Sequence, residues 1–251
     1  MAKIEDFFIP ENHVDEISEE DYKRAEPVIS AIKAVARVTY HSIYIIDYYQ
    51  KNFLYVSDNP LFLCGLKSSE VKEMGYAFYF NYMTKNDLDM LLEINRAGFE
   101  FFNKTPAEDR TKLSISYDFH ILNGKKKTLI NHKLTPVLLA ENGNIWLAAC
   151  VVSFSSHSDI GHIEARMEGE TVYWVYSLKE RIWREEQAIR LKEIEKDILL
   201  LTHQGLKEEE IADKINRSVQ TVKFHKRHIF EKLNVHNILE AVSVAANYKL
   251  I

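Results

Sequence analysis

Cysteine is scarce: Cys64 and Cys150 are the chain's two thiols. They are too few for a disulfide framework, and the expected role is that of small apolar core residues. Long hydrophobic runs are missing too. The longest uninterrupted apolar stretch, IWLAACVV (145–152), falls far short of the ~20 residues that span a bilayer. The opening MAKIEDFFIPENHV is mixed and acidic, with no continuous apolar region behind a basic start, so it does not read as a signal peptide. The expectation is a soluble, cytoplasmic protein with no membrane partner. Catalytic signatures are absent as well. The chain has no HExxH, no paired CxxC, no GxSxG, no phosphate-cradling glycine loop and no convincing nucleophile–base pair. Neither an enzyme, nor a metal site, nor a bound cofactor is expected on these grounds.

What is present is a hydrophobic share of 46% in 251 residues, enough to build real cores in one large domain or two ordinary ones. The net charge of −5 argues weakly against nucleic acid, but it is unevenly spread. Residues 191–251 hold 10 Lys+Arg against 9 Asp+Glu, and the remainder 22 against 28. Within SVQTVKFHKRHIFEKL (218–233), Lys223, Lys226, Arg227 and Lys232 face the single acid Glu231. The basic charge is local.

Residues 1–40 read as an N-terminal helical segment, with a helix over 15–40 and a kink at Pro27. SIYIID (42–47) and FLYVS (53–57) then read as strands joined by a turn at YYQKN. Residues 59–104 return to helical spacing in short pieces. The last, DLDMLLEINRAGFEFFN, is capped in this reading by Asp87. Asn123-Gly124 and Asn142-Gly143 mark hairpin turns, because both residue types tolerate positive φ. KLSISYDFHIL, TLINHKLTPVLL and IWLAACVVSF thereby form an antiparallel meander. Its first strand alternates, so one face is wet; its last is apolar on both faces, as a central strand would be. The sum is a five-stranded antiparallel sheet with a helical flap.

SDNPLFLCGLKSSEVKEMGY (57–76), through Asn59, Gly65, Ser69-Glu70 and Gly75, together with TKNDL (84–88), resembles PAS sensor domains over roughly 41–155. The resemblance implies a PAS-like sensor at 41–156. Its flap aromatics Tyr76, Phe78, Tyr79, Phe80 and Tyr82 either line a small-molecule pocket or fill the core. Cys64 is not placed like the photoreactive cysteine of the flavin-binding branch, and no His holds a compelling haem position, with His120 and His132 left as the weak candidates. Residues 157–190 read as a connector with a β-hairpin around Gly169, which either continues through RIW (181–183) or gives way to a helix over 178–190. Its Tyr173, Trp174, Tyr176, Ile182 and Trp183 are too apolar for a solvated linker. They are expected to pack on the sensor sheet or on a partner subunit.

From Leu191 the pattern is an all-α, four-helix domain over 191–251. The first helix stops at Gly205, EEEIADKI forms the second, Ser218 caps the third, and HNILEAVSVAANYKLI supplies the fourth. Two short helices joined by a tight NRS turn describe a helix-turn-helix. Val222, Ile229 and Leu233 share one stripe of the third helix. Phe224 lies about 200° round from Val222 at ~3.6 residues per turn, flanked by Lys223 and Arg227. An outward aromatic between two cations suits the major groove, where Arg or Lys meets guanine acceptors and an apolar group meets a thymine methyl.

EIADKINRSVQTVKFHKRHIFEKLNV (210–235), with Gly205 before it and EAV (240–242) after, resembles the LuxR/GerE-type helix-turn-helix. The resemblance implies that Lys223, Phe224 and Arg227 face bases and that Ser218, Gln220, Thr221 and Lys226 hold phosphates. It also implies a fourth helix that dimerises; by helical spacing that helix presents Leu239, Val242, Ala245 and Ala246 on one stripe, which either meets a second copy or packs on its own domain. Some positions depart from the family pattern. Lys207 replaces a Ser or Thr cap, Ile194 and Ile238 replace basic residues, Lys249 replaces a glycine, and Arg217 replaces a buried aliphatic.

The whole reads as an α+β, bacterial, homodimeric regulator of transcription that binds double-stranded DNA under the control of a PAS-like sensor. The rival reading, which Arg217 favours, is a sensor or protein-interaction module whose helix-turn-helix serves mainly for dimerisation. A phospho-accepting receiver domain is set aside, because IYIID offers one acid in the wrong place.

Overall fold

Strands begin where the sequence turns β-branched and aromatic. In the computed structural model, which describes residues 3–251, β1 (Ser42–Asp47) and β2 (Asn52–Val56) pair antiparallel. Asp47 fixes the turn between them by accepting the N–H groups of Tyr49 (3.0 Å) and Gln50 (3.1 Å). The same carboxylate accepts the Tyr22 hydroxyl at 2.5 Å and so ties α1 (Glu19–Val38) to the sheet. Pro27 lies inside α1, which runs through it as one helix.

The meander follows as β3 (Leu113–Asn123), β4 (Lys126–Leu139) and β5 (Ile145–Phe154). β5 lies between β1 and β4, with Leu147, Ala148, Cys150 and Val152 almost fully buried, as its two apolar faces require. The expected five strands are not the whole sheet. β6 (Gly161–Met167), β7 (Val172–Ser177) and β8 (Ile182–Gln187) extend it to eight, in the order β2-β1-β5-β4-β3-β6-β7-β8. The free edge that β3 would have presented is taken by β6. Residues 157–190 thus hold the hairpin around Gly169 and its continuation through Ile182 and Trp183 as β8, and no helix over 178–190.

Between β2 and β3 lie α2 (Pro60–Leu63), α3 (Ser68–Met74), α4 (Ala77–Tyr82) and α5 (Lys85–Lys104). The cap of α5 is Thr84 and not Asp87: the Thr84 hydroxyl accepts the Asp87 N–H at 3.2 Å. One turn further in, the Asp87 carboxylate accepts the His120 N–H at 2.9 Å and so binds α5 to β3. Trp174, Tyr176 and Trp183 settle on α5, whereas the Tyr173 ring lies under the Arg166 guanidinium of β6. Phe101 meets Trp174 and Trp183 at centroid distances of 5.1 and 5.0 Å, the Trp183 indole donates to the Ala97 carbonyl, and the Tyr176 hydroxyl donates to Glu93.

The described residues form two compact units, one ending at Glu186 and the other spanning Gln187–Ile251. The second contains α6 (Glu193–His203), α7 (Glu208–Lys214), α8 (Val219–Leu233) and α9 (Ile238–Asn247). Its own core is built from Ile198, Leu199, Ile211, Val222, Ile229, Ala241 and Val244, among others. Gly205 ends α6 at φ +87°, where a side chain would be strained.

Lys249, which replaces the family's glycine, adopts φ +56°. A left-handed backbone costs an L-residue roughly 1–2 kcal/mol, and glycine's larger unfolded-state entropy offsets part of that gain. Lys249→Gly is therefore expected to stabilise this unit by about 0.5–1 kcal/mol. The gain would be read as a higher denaturation midpoint of its helical signal. An unchanged or lower midpoint would show that the conformation carries no strain.

Candidate nucleic-acid interface

The interface starts from how α8 is fixed. Ser218 caps it, its hydroxyl accepting the Thr221 N–H at 3.1 Å. Asn216 makes the preceding turn at φ +51°, a conformation asparagine tolerates. Val222, Ile229 and Leu233 point into the core, at 0%, 0% and 6% exposure. With that face committed, Phe224 is turned outward and is 49% exposed. Its ring lies 4.4 Å from that of His228, and the Arg227 guanidinium stands 6.0 Å from its centroid. Lys223 and Arg227 are both exposed. Arg227 makes a long 3.9 Å pair with Glu231, and Lys223 stands 3.8 Å from Glu208.

The residues expected to hold phosphates are placed less uniformly. Gln220 is exposed and Thr221 half-buried. The Ser218 and Thr221 hydroxyls sit 2.9 Å apart, so both take part in capping. Lys226 is largely covered, at 16% side-chain exposure, and its ammonium lies 3.2 Å from the Glu208 carboxylate. Glu208 carries no sequence signal beyond its place in the acidic first turn of α7. In the fold it gathers Lys223 and Lys226 at the first residue of α7.

The departures from the family pattern are accommodated locally. Lys207 gives no side-chain cap, and the Glu210 carboxylate accepts its N–H at 2.8 Å instead. Arg217 is exposed, its N–H bonded to the Ala212 carbonyl at 2.9 Å, and its side chain borders a surface groove with Ile194, Leu200 and Leu201. On α9 the expected dimer stripe divides. Leu239 is 79% exposed, Ala246 is exposed and Val242 half-buried, but Ala245 is 0% exposed. Ala245 turns inward because α9 packs on its own domain through Ala241, Val244 and Ala245, so it does not share the outward face.

A second pair was also missed. The Glu195 carboxylate, on α6, is 2% exposed and accepts the Lys232 ammonium at 2.6 Å and the Lys192 N–H at 2.8 Å. It ties the start of α6 to the last turn of α8. The capping spacing from Lys192 to Glu195 was its only local signal.

Residues 191–245 match the family model described as bacterial regulatory proteins, luxR family. The C-terminal unit carries a LuxR-type helix-turn-helix domain. A likeness to a curated protein, the Fimbriae Z protein of Escherichia coli (strain K12), covers a short stretch. That protein is 47% identical over 47 residues, 19% of this chain and 22% of the relative. The chain thus spans about a fifth of that relative's length. Likenesses to solved structures cover more of the chain at lower identity. The phage VqmA–DPO complex is 15% identical over 91% of this chain and 93% of that one, with a TM-score of 0.32. A Vibrio cholerae VqmA–ligand–DNA complex is 13% identical over 89% and 90%, at 0.34. Escherichia coli SdiA is 14% identical over 90% and 92%, at 0.27.

The first unit holds a different kind of candidate site. Tyr76, Phe78 and Tyr79 are buried, stacked among Phe7, Phe53 and Phe62. They fill the core on their side of the sheet. Beside them the Tyr44 hydroxyl lies 2.5 Å from that of Tyr79 and 2.6 Å from His132 Nε2. Burial holds the His132 imidazole down to about 3, so the ring is neutral. His132 and His120 are thus each engaged, His120 Nδ1 standing 3.1 Å from Asp87.

Between α5 and the sheet a cleft of about 450 Å³, counting the space at its mouth, is walled by Tyr48, Ile94, Phe99, Phe102, Ile115 and Tyr117. Gly98 lies on this cleft's helical wall, and a Cβ there would come 3.0 Å from Ile115 Cδ1. Burial pushes the Cys64 thiol up to about 11 and Cys150 higher still, so neither is poised as a nucleophile. Among the described residues, no helix is long and apolar enough to cross a membrane.

Proposed function

We propose that this chain is a DNA-binding transcriptional regulator, working as a homodimer in the cytoplasm. In this reading the LuxR-type domain reads the major groove, and the PAS-like part at 41–156 controls it in response to a small molecule. The observation that carries the DNA-binding reading is Phe224, exposed between Lys223 and Arg227 on a helix whose opposite face is fully committed to the core. A solvated helix has no use for an outward phenylalanine between two cations, whereas base edges offer both a thymine methyl and guanine acceptors. The small-molecule reading is supported by the apolar cleft beside α5, whose walls are aromatic and aliphatic as those of ligand pockets are. The dimer reading is supported by Leu239, a large apolar side chain left 79% exposed on the last helix.

The test is selection of binding sites by the full chain from random duplexes. The expected result is a near-palindrome whose half-sites mirror a two-fold protein axis. Leu239→Glu, on the outward stripe, should lower affinity for that site without changing which half-site is preferred. Selection that enriches no sequence would remove the DNA-binding reading and leave the interaction module. A Leu239→Glu chain that binds as tightly as the parent at low concentration would remove the role of α9 in dimerisation.

A further inference from the structure

No spacing motif marks Asp118, His157 and His162, yet the fold brings them together. Asp118 lies on β3, opposite Asn131 of β4 and Gly161 of β6. His157 comes from the segment between β5 and β6, and His162 is the second residue of β6. One ligating atom from each lies within 4.8 Å of the other two. His157 Nδ1 is 2.5 Å from the Asp118 carboxylate, and the two imidazoles stack with centroids 3.6 Å apart and planes 7° from parallel. At the rim, the Asp159 carboxylate lies 3.0 Å from His162 Nε2.

Two further features point to a ligand. Asp118 is 0% exposed although it stands on the strand face whose alternation reads as wet. A buried carboxylate is costly unless it is paired or coordinates a metal, and a hydrogen bond to an imidazole is a modest partner. Beside it the Asn131 amide donates to Asp118 at 2.7 Å, while its own oxygen is buried without a partner. The surrounding backbone is bent to make the approach. The β3–β6 register shifts between Ser116 and Asp118, and Gly161 and His162 adopt φ +104° and +47°.

We propose that Asp118, His157 and His162 bind a divalent transition-metal ion. Two imidazoles and a carboxylate are a donor set for Zn²⁺, Ni²⁺ or Cu²⁺ rather than for Mg²⁺ or Ca²⁺, which favour all-oxygen shells. Three protein ligands leave a fourth position to water or to a small ligand. In a tetrahedral zinc site with bonds of ~2.0–2.1 Å, donors stand roughly 3.3 Å apart. The rings therefore unstack by a side-chain rotation to admit the ion. On entry the ion takes the place of the hydrogen bond between His157 Nδ1 and the Asp118 carboxylate. The ion would join β3, the β5–β6 segment and the start of β6, fastening the last three strands to the rest of the sheet.

The experiment uses the full chain, stripped of metal and titrated with ZnCl₂ by calorimetry, with metal content measured after desalting. One equivalent of Zn²⁺ per chain is expected, with no binding of Mg²⁺ and a higher melting temperature for the loaded protein. His157→Ala, and independently the more exposed His162→Gln, should each weaken Zn²⁺ binding by at least about tenfold. Both should retain the parent's far-ultraviolet circular dichroism. His13→Ala, which removes an exposed histidine elsewhere, should leave binding unchanged. Absence of Zn²⁺ binding by the parent would overturn the proposal. So would a parent-like affinity in His162→Gln, which would place the ion at other histidines.

Discussion

Alanine at Arg227 or Lys223 is expected to weaken binding to the selected site by about 1–3 kcal/mol, roughly 5- to 150-fold, and to relax the preference at one base pair. The structure separates this effect from stability. Arg227 is 68% exposed and its pair with Glu231 spans 3.9 Å, an interaction worth at most ~1 kcal/mol to the fold. A loss of binding in a variant with an unchanged melting temperature therefore reports on DNA alone.

Lys226 is the contrasting case. Its covered ammonium lies beside Glu208, and its assigned role is to hold a phosphate. Alanine there should weaken all sequences alike and make the salt dependence shallower by about one unit of slope. Because Lys226 also helps join α7 to α8, the melting temperature of this variant must be followed alongside. The measurement is fluorescence anisotropy on the selected duplex and its single-base variants at several salt concentrations. If Arg227→Ala and Lys226→Ala lose preference equally, the division into base and phosphate contacts fails.

What was legible in the sequence was written in short range. Ser218 as a cap, Gly205 as a stop, and Val222, Ile229 and Leu233 as an inward stripe follow from helix geometry over a few residues. The two-sided burial of β5 was readable from an unbroken apolar run. The errors arose where neighbouring residues compete for one role or where the partner is distant. Thr84 and Asp87 both suit a cap, and the contest is settled by β3, which claims the Asp87 carboxylate through the His120 N–H. Ala245 is too small and too neutral for its own identity to say which way it faces. β8 is exposed along most of its length, so its apolar pattern is weak, and its place is set by Trp183 reaching α5. Asp118, His157 and His162 lie on separate segments, and only the β3–β6 pairing brings them together.

The largest stability effect is expected from Lys232→Met. Glu195 is 2% exposed and Lys232 31%. Removing the ammonium leaves a buried carboxylate with the Lys192 N–H but without a counter-charge. Breaking one side of a buried pair costs roughly 3–5 kcal/mol. Partial exposure of Lys232 lets water reach the site and lowers the expected cost to about 2–3 kcal/mol at neutral pH.

The pH dependence identifies the cause. Burial pushes Glu195 up, but the Lys232 ammonium and the Lys192 N–H outweigh it and hold the carboxyl below its ordinary value of 4.5. A group lowered in the folded state contributes stability that is fully present above its unfolded value and is lost as pH falls below it. In Lys232→Met the ammonium no longer opposes burial, so that contribution is reduced. The gap between parent and variant should therefore be widest near neutrality and narrow as pH falls through about 4.5.

All three tryptophans, Trp146, Trp174 and Trp183, lie before Gln187, so tryptophan fluorescence follows the first unit alone. Denaturation of the full chain should show the helical signal of the second unit lost at lower denaturant in the variant, with the fluorescence transition unmoved. A penalty that stays constant between pH 7 and pH 4 would mean that Lys232 acts through the packing of its stem and not through its charge.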